Sequence, residues 1–211
     1  MTETLPAPTG LRRQLRTTAR LTAFIGGPVF WLGTLLHPAR DGWSIANVGE
    51  RYGLTHDIQA AGLALQIVCL ASMIALGNQI GRRRDLGAWY AALVGTLLWF
   101  ALIIFDGSHN PVRAEYAPSM VHEPVDLDTP AALIVFPALL VFPLSYLWLG
   151  WTMRERLRLV GVLLGAGALA YTIGGLFIFT SGPRFGLIQI FEVAGATVYA
   201  VGYILLGRRA A

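Results

Sequence analysis

Two short stretches and one isolated acid carry most of the residues able to move a proton. In "FDGSHNP", residues 105–111, Asp106 and His109 stand three apart, so on a continuing helix they share a face. Such a pair holds an imidazole in one tautomer, or keeps a carboxyl ready to exchange a proton. The same stretch also reads as a helix ending in water, because Asp, Gly, Ser and Asn follow the almost wholly apolar run Leu86 to Phe105. In "THDIQ", His56 and Asp57 open another apolar run, with Gln59 and Gln66 following inward. Asp57 there has a plainer reading as a charge favoured at a helix N-terminus.

Glu192 lies alone inside an apolar run, about seven residues from its start, which at 1.5 Å per residue is about 10 Å along a helix. An acid at such a depth in a bilayer costs on the order of 2 to 3 kcal/mol, so it should face protein and have a purpose. Gln189, one turn earlier, shares its face. The alternative is a protonated Glu that only ties helices together. His37, before Pro38, ends a first apolar run, where a histidine is either a ligand contact or a satisfied interfacial group.

The elements that must position these residues are membrane helices. The chain has 211 residues, of which 55% are hydrophobic and 13% charged, against about 25% charged in soluble domains. Six stretches reach the roughly 20 apolar residues that span a bilayer core as a helix, at about 21–36, 59–80, 86–105, 131–151, 159–179 and 185–206. Residues 1–20 precede this single transmembrane domain (21–207), and 208–211 follow it. The basic start resembles a signal peptide, but no small-x-small cleavage site follows, so the first run is expected to be retained. The expected fold is an all-α polytopic bundle of about six spans.

All sixteen positive charges are Arg. With both termini cytoplasmic, twelve of these sixteen fall inside, at 12, 13, 16, 20, 82, 83, 84, 154, 156, 158, 208 and 209, which satisfies the positive-inside rule. The net charge of +4 is thereby accounted for without nucleic acid. Cys69 is the one cysteine, so no intramolecular disulfide and no Cys-based zinc site can form. Pro28, Pro137 and Pro143 fall within spans, where neighbouring helices satisfy freed carbonyls. Gly161, Gly165, Ala168 and Gly175 give the fifth span a face for close packing. No internal repeat is evident, so an inverted-repeat transporter gains no support.

Sorting the polar residues by leaflet gives a lopsided result. His37, His56, His109 and His122 all lie at outer span ends, as do most of the acids. Glu3, Asp85 and Glu155 are the cytoplasmic ones. The segment 107–130, with Pro111, Pro118, Pro124 and Pro130, is expected to cover the outer mouth, and "ARDGWSIANVGERYG" to form an interfacial helix anchored by Trp43 and Tyr52. Trp31, Trp99, Phe105 and Phe191 fall in the outer portions of their spans. Beside Glu192 and Asp106 they would make an aromatic cavity carrying acids.

A carboxyl in an apolar pocket stays protonated and acts as a general acid, while aromatic faces stabilise a carbocation. In these isolated outer-end acids and aromatic residues within a small all-helical membrane chain, the sequence resembles the integral-membrane terpene cyclases. These are the bacterial cyclases of drimentine-type indole sesquiterpenoids and, more distantly, the fungal meroterpenoid cyclases. The fungal enzymes have a Glu on an early helix and an Asp on the last, whereas here Asp57 or Asp106 comes early and Glu192 last. This chain also has fewer spans, so no residue carries over by motif. The resemblance implies a farnesylated or geranylated substrate, an indole or diketopiperazine among the options, protonated at its terminal alkene or epoxide and cyclised without cofactor or metal. In agreement, no DDxxD-type run is present, Asp126 and Asp128 being the only clustered acids.

On this reading Glu192, Asp106 and Asp57 are the catalytic candidates. His37, His56, His109, Gln189, Gln66, Trp31, Trp99, Phe105 and Phe191 are the substrate-contact candidates. The competing class is non-enzymatic: a small transporter, or a haem- or quinone-binding membrane protein. Haem needs two histidines at matched depth, and those here sit at span ends; a metal site would want HxxxH or HExxH spacing, which is missing.

Overall fold

The computed structural model describes residues 9–38, 50–77, 85–120, 132–177 and 185–209. They form α1 (Thr9–Leu36), α2 (Glu50–Leu76), α3 (Leu86–Tyr116), α4 (Ala132–Met153), α5 (Arg158–Leu176) and α6 (Phe185–Arg209), with a 3₁₀ turn at Pro118–Met120. All six helices are long and apolar enough to cross a membrane. The chain is an all-α polytopic bundle.

The helices form a ring. Each packs on its neighbours in sequence, and α6 closes the circle against α1. Close approach depends on small residues, because lipid supplies no hydrophobic drive between helices and packing has to come from contact. On α5, Gly161 meets Gly150 of α4 and Gly165 lies near the Tyr146 carbonyl, as the small-residue face predicts. The sequence shows no equal sign of a second such face: Gly167 and Gly174 of α5 sit against Tyr199 and Glu192 of α6. Gly26 and Gly33 of α1 pack on α2, and Gly27 on Ala200 and Tyr203 of α6. Gly77, at φ 58°, stops α2 in the left-handed conformation that glycine adopts without penalty.

Aromatic side chains fill the centre of the ring. Phe30, Trp99, Phe142, Tyr146, Tyr171, Tyr199 and Tyr203 are all buried. Trp99 stacks on Phe142 at 4.9 Å and meets Tyr171 edge-on at 5.4 Å; Phe30 lies 5.0 Å from Tyr171; Tyr199 lies 5.1 Å from both Tyr146 and Tyr203. Each such pair adds about 0.5–1.5 kcal/mol beyond area burial. Hydroxyls and amides inside are joined: Tyr146 Oη lies 2.6 Å from Tyr203 Oη and 2.9 Å from Thr96 Oγ1, while Tyr199 donates to Gln66 Oε1 at 3.0 Å.

Several boundaries differ from the sequence expectation. α1 begins near Thr9, so Arg12, Arg13, Arg16 and Arg20 lie on the helix itself. α2 begins at Glu50, which places His56 and Asp57 well inside it. The largest difference is α3, which runs through Pro111 to Tyr116 where a helix end or loop was expected. Trp43, His122 and the acids at 123, 126 and 128 lie outside the described residues.

Candidate functional site between α2 and α3

The extension of α3 puts Asp106 on the helix face packed against α2. Two glycines allow the approach. A Cβ on Gly107 would collide with the His56 Cβ, and one on Gly53 of α2 would touch the Gly107 carbonyl at 3.4 Å. Pro111, lacking an N–H, leaves that Gly107 carbonyl without its i+4 donor. Side chains support the helix through this stretch: Ser108 Oγ donates to the Ile104 carbonyl at 2.7 Å, and Asn110 Nδ2 donates to Asp106 Oδ1.

Three side chains meet at the Asp106 carboxyl. Besides Asn110, Tyr52 donates its hydroxyl to Oδ2 at 2.8 Å, and His56 Nε2 lies 3.0 Å from the same oxygen. His56 Nδ1 is 2.7 Å from the Tyr52 carbonyl oxygen. A carbonyl only accepts, so Nδ1 carries hydrogen, and a neutral His56 presents a bare Nε2 to Asp106. One proton then lies between His56 Nε2 and Asp106 Oδ2. It resides on the carboxyl in the neutral pair and on the imidazole in the ion pair.

The surrounding shell is aromatic and mostly dry. Tyr52 lies over His56 with ring centroids 4.3 Å apart, and His37, just past the end of α1, stands edge-on to both at 5.0 Å. Tyr52, His37 and His56 are buried, while the Asp106 side chain keeps 19% of its surface open. His37 Nδ1 donates to the Pro38 carbonyl at 2.9 Å, which fixes that ring as well.

One turn deeper the polar lining continues. Gln59 Nε2 donates to Thr34 Oγ1 at 3.0 Å and to Tyr171 Oη at 3.4 Å. This link crosses the bundle from α2 to α5. Gly174, one turn along α5 from Tyr171 towards its C-terminal end, packs on Glu192 of α6, which places buried Glu192 at about the level of His56 in the bundle. Helices α2 and α6 both flank α1, so the two residues stand on either side of it. Gln59 Oε1 and Trp99 Nε1 are buried polar atoms with no hydrogen-bond partner among the described residues.

The sequence candidates divide accordingly. His37, His56 and Asp106 converge, and Glu192 faces the bundle interior as expected. His109 does not pair with Asp106. It is exposed and stacks on Phe105 at 4.7 Å, because Asn110 at i+4 and His56 across the interface occupy the carboxyl. Asp57, one residue along α2 from His56, points away and is exposed. Trp31 is a tie between helices, donating from Nε1 to Thr197 Oγ1 of α6 at 2.9 Å. Phe191 packs on Phe177 at 5.7 Å, and Gln189 is half-buried. Gln66 is committed to the core, donating to the Gly26 carbonyl while accepting from Tyr199.

Tyr52 and Asn110 are the residues that sequence reasoning missed. Tyr52 was expected to anchor at the membrane interface and is instead buried against Asp106. The signals were the i,i+4 spacings Tyr52–His56 and Asp106–Asn110, which become meaningful only once α2 starts early and α3 ends late. Among the described residues no group of three or more His, Cys, Asp or Glu is placed to hold a metal ion. Comparison with protein-family models, curated proteins and solved structures finds no match.

Proposed function

We propose that this protein is a membrane-embedded cyclase that protonates the prenyl chain of a lipophilic substrate at the outer end of the α2–α3 interface. The observation that carries the reading is the Asp106 carboxyl held by Tyr52, His56 and Asn110, with His56 fixed in the Nδ1–H tautomer. In the neutral pair Asp106 carries the proton. Donation to the terminal alkene forms a C–H bond, leaves a tertiary carbocation and leaves a carboxylate. That carboxylate is stabilised by the Tyr52 hydroxyl and the Asn110 amide already in place. Attack by the next alkene closes the ring, and loss of a proton from the cyclised cation to the carboxylate–imidazole pair restores the starting state. The reaction is an isomerisation with no net consumption of protons, and it needs no cofactor or metal.

Glu192 belongs to this reading as a second acid at matching depth, facing the interior from α6, where its carboxyl stabilises the passing carbocation while the proton returns to the His56–Asp106 pair. The filled centre of the ring supports an enzyme over a carrier, since a solute's route between the two faces would run through seven packed aromatic side chains. The arginine-rich helix ends lie in the cytoplasm on this proposal. The host membrane is the inner membrane of a bacterium, in keeping with the all-Arg, Ala- and Leu-rich composition.

The test is conversion of a farnesylated indole or diketopiperazine by the protein in liposomes. The product should be an isomer of unchanged mass with one fewer alkene, and in D₂O it should gain one deuterium at the former terminal alkene. Absence of conversion across farnesylated and geranylated substrates would sink the proposal. A Soret band in the purified protein would point to the haem-binding alternative.

A further inference from the structure

At the opposite end of the bundle, the α4–α5 turn and the end of α6 enclose a cavity of about 410 Å³ lined by Arg156, Leu157, Arg158, Leu159, Val160, Leu205, Arg208 and Arg209. Four arginines and four aliphatic residues, from chain segments about fifty residues apart, line it together. The positive-inside rule explains why arginines lie at this end, but not why these four border one concavity. Val160 is buried, Leu157 and Leu205 are half-buried, and Leu159 is exposed towards the membrane side of α5. The lining is therefore amphipathic, with four cationic and four aliphatic residues.

Backbone donors add to the charge. The first intrahelical bond of α5 runs from the Gly161 N–H to the Leu157 carbonyl at 2.9 Å, so the N–H groups of Arg158, Leu159 and Val160 precede the ladder. No side chain caps them at Leu157, and all three residues line the cavity. Glu155, the nearest acid in the turn, is not part of the lining. Arg154 is engaged elsewhere, with its guanidinium over the Trp151 ring at 4.1 Å.

We propose that this cavity binds the phosphate headgroup of an anionic phospholipid from the arginine-side leaflet, the acyl chains lying along the exposed apolar flank of Leu159 and Val162. Arginine forks pair bidentately with phosphate oxygens, and basic pockets between membrane helices on the cytoplasmic side suit such headgroups. One phosphodiester carries a single negative charge, so four arginines fit a headgroup with two phosphates better than one with a single phosphate. The site is independent of the outer-end chemistry.

The probes are cardiolipin, phosphatidylcholine and inorganic phosphate, each titrated into the delipidated full-length chain in detergent. Bound lipid is read by native mass spectrometry and stability by thermal melting. Cardiolipin should be retained and raise the melting temperature, while phosphatidylcholine should not. The double variant Arg158→Gln/Arg209→Gln should weaken cardiolipin binding at least tenfold. Arg12→Gln/Arg13→Gln, with the same loss of charge at the same end, should stay within about twofold of the parent. Arg158→Lys/Arg209→Lys should recover part of the affinity, which separates a binding loss from a folding loss. Equal weakening in the two Gln doubles, no retention of cardiolipin, or a response to inorganic phosphate without one to lipid would overturn the proposal.

Discussion

At Asp106 the local geometry sets which substitutions should matter. Asp106→Asn keeps the shape but removes the exchangeable proton, so conversion of a prenylated substrate should fall by about 10²–10⁴-fold, the usual range for losing a general acid, with the helical circular-dichroism signal unchanged. Tyr52→Phe removes one of the donors to Oδ2 and leaves the acid in place, so its loss should be smaller, about tenfold, and confined to kcat. Parent-like turnover in Asp106→Asn would remove Asp106 from the chemistry. Gln59 is a different case. Gln59→Leu gives up two hydrogen bonds but also removes a buried Oε1 that has no partner, and an unpaired buried acceptor costs about 1–3 kcal/mol. The two effects oppose, so the change in unfolding free energy in mixed micelles should stay within about 1 kcal/mol. A loss of 3 kcal/mol or more would mean that Oε1 is satisfied.

Among the elements, α2 and α3 are positioned by glycine contacts rather than by propensity. Gly107→Ala forces a methyl group into His56 Cβ and must move α3 off α2, which would open the His56–Asp106 contact. Turnover should drop nearly as far as in Asp106→Asn although no proton-carrying group is touched, and overpacking should cost about 1–3 kcal/mol in stability. Gly195→Ala on α6 meets the Tyr171 backbone and makes the contrasting case. It should destabilise by a similar amount or more, through the α5–α6 interface, without acting directly on the His56–Asp106 pair. Helix α3 also shows where local signals mislead. Asp106, Gly107, Asn110 and Pro111 are all residues that end helices, and from sequence alone an end there is a fair reading. The helix continues because packing on α2 and the side-chain bonds from Ser108 and Asn110 outweigh weak intrinsic preference.

For the whole molecule, the bundle was legible in the sequence because a bilayer leaves the chain few choices. Backbone groups in hydrocarbon must bond internally, so runs of about 20 apolar residues become helices, and arginine placement sets which end faces which side. Six spans, the small-residue face of α5, buried Glu192 and the placement of His37, His56 and His109 at one end followed from that alone. The pairing of those histidines did not. His56 and Asp106 are separated by fifty positions, and only the ring order with its Gly53–Gly107 approach makes them neighbours. His109 shares a helix face with Asp106 by spacing, yet it turns to Phe105 because His56 and Asn110 already hold the carboxyl. Seven aromatic residues could equally have lined an open cavity or filled one; tertiary packing filled it. Hydropathy thus determined the number of the helices and that they are apolar enough to span a bilayer, because it reports transfer between water and lipid. Which polar side chains touch was decided by the tertiary structure, because contact depends on helix rotation and approach, and in lipid these are set by small residues meeting across an interface.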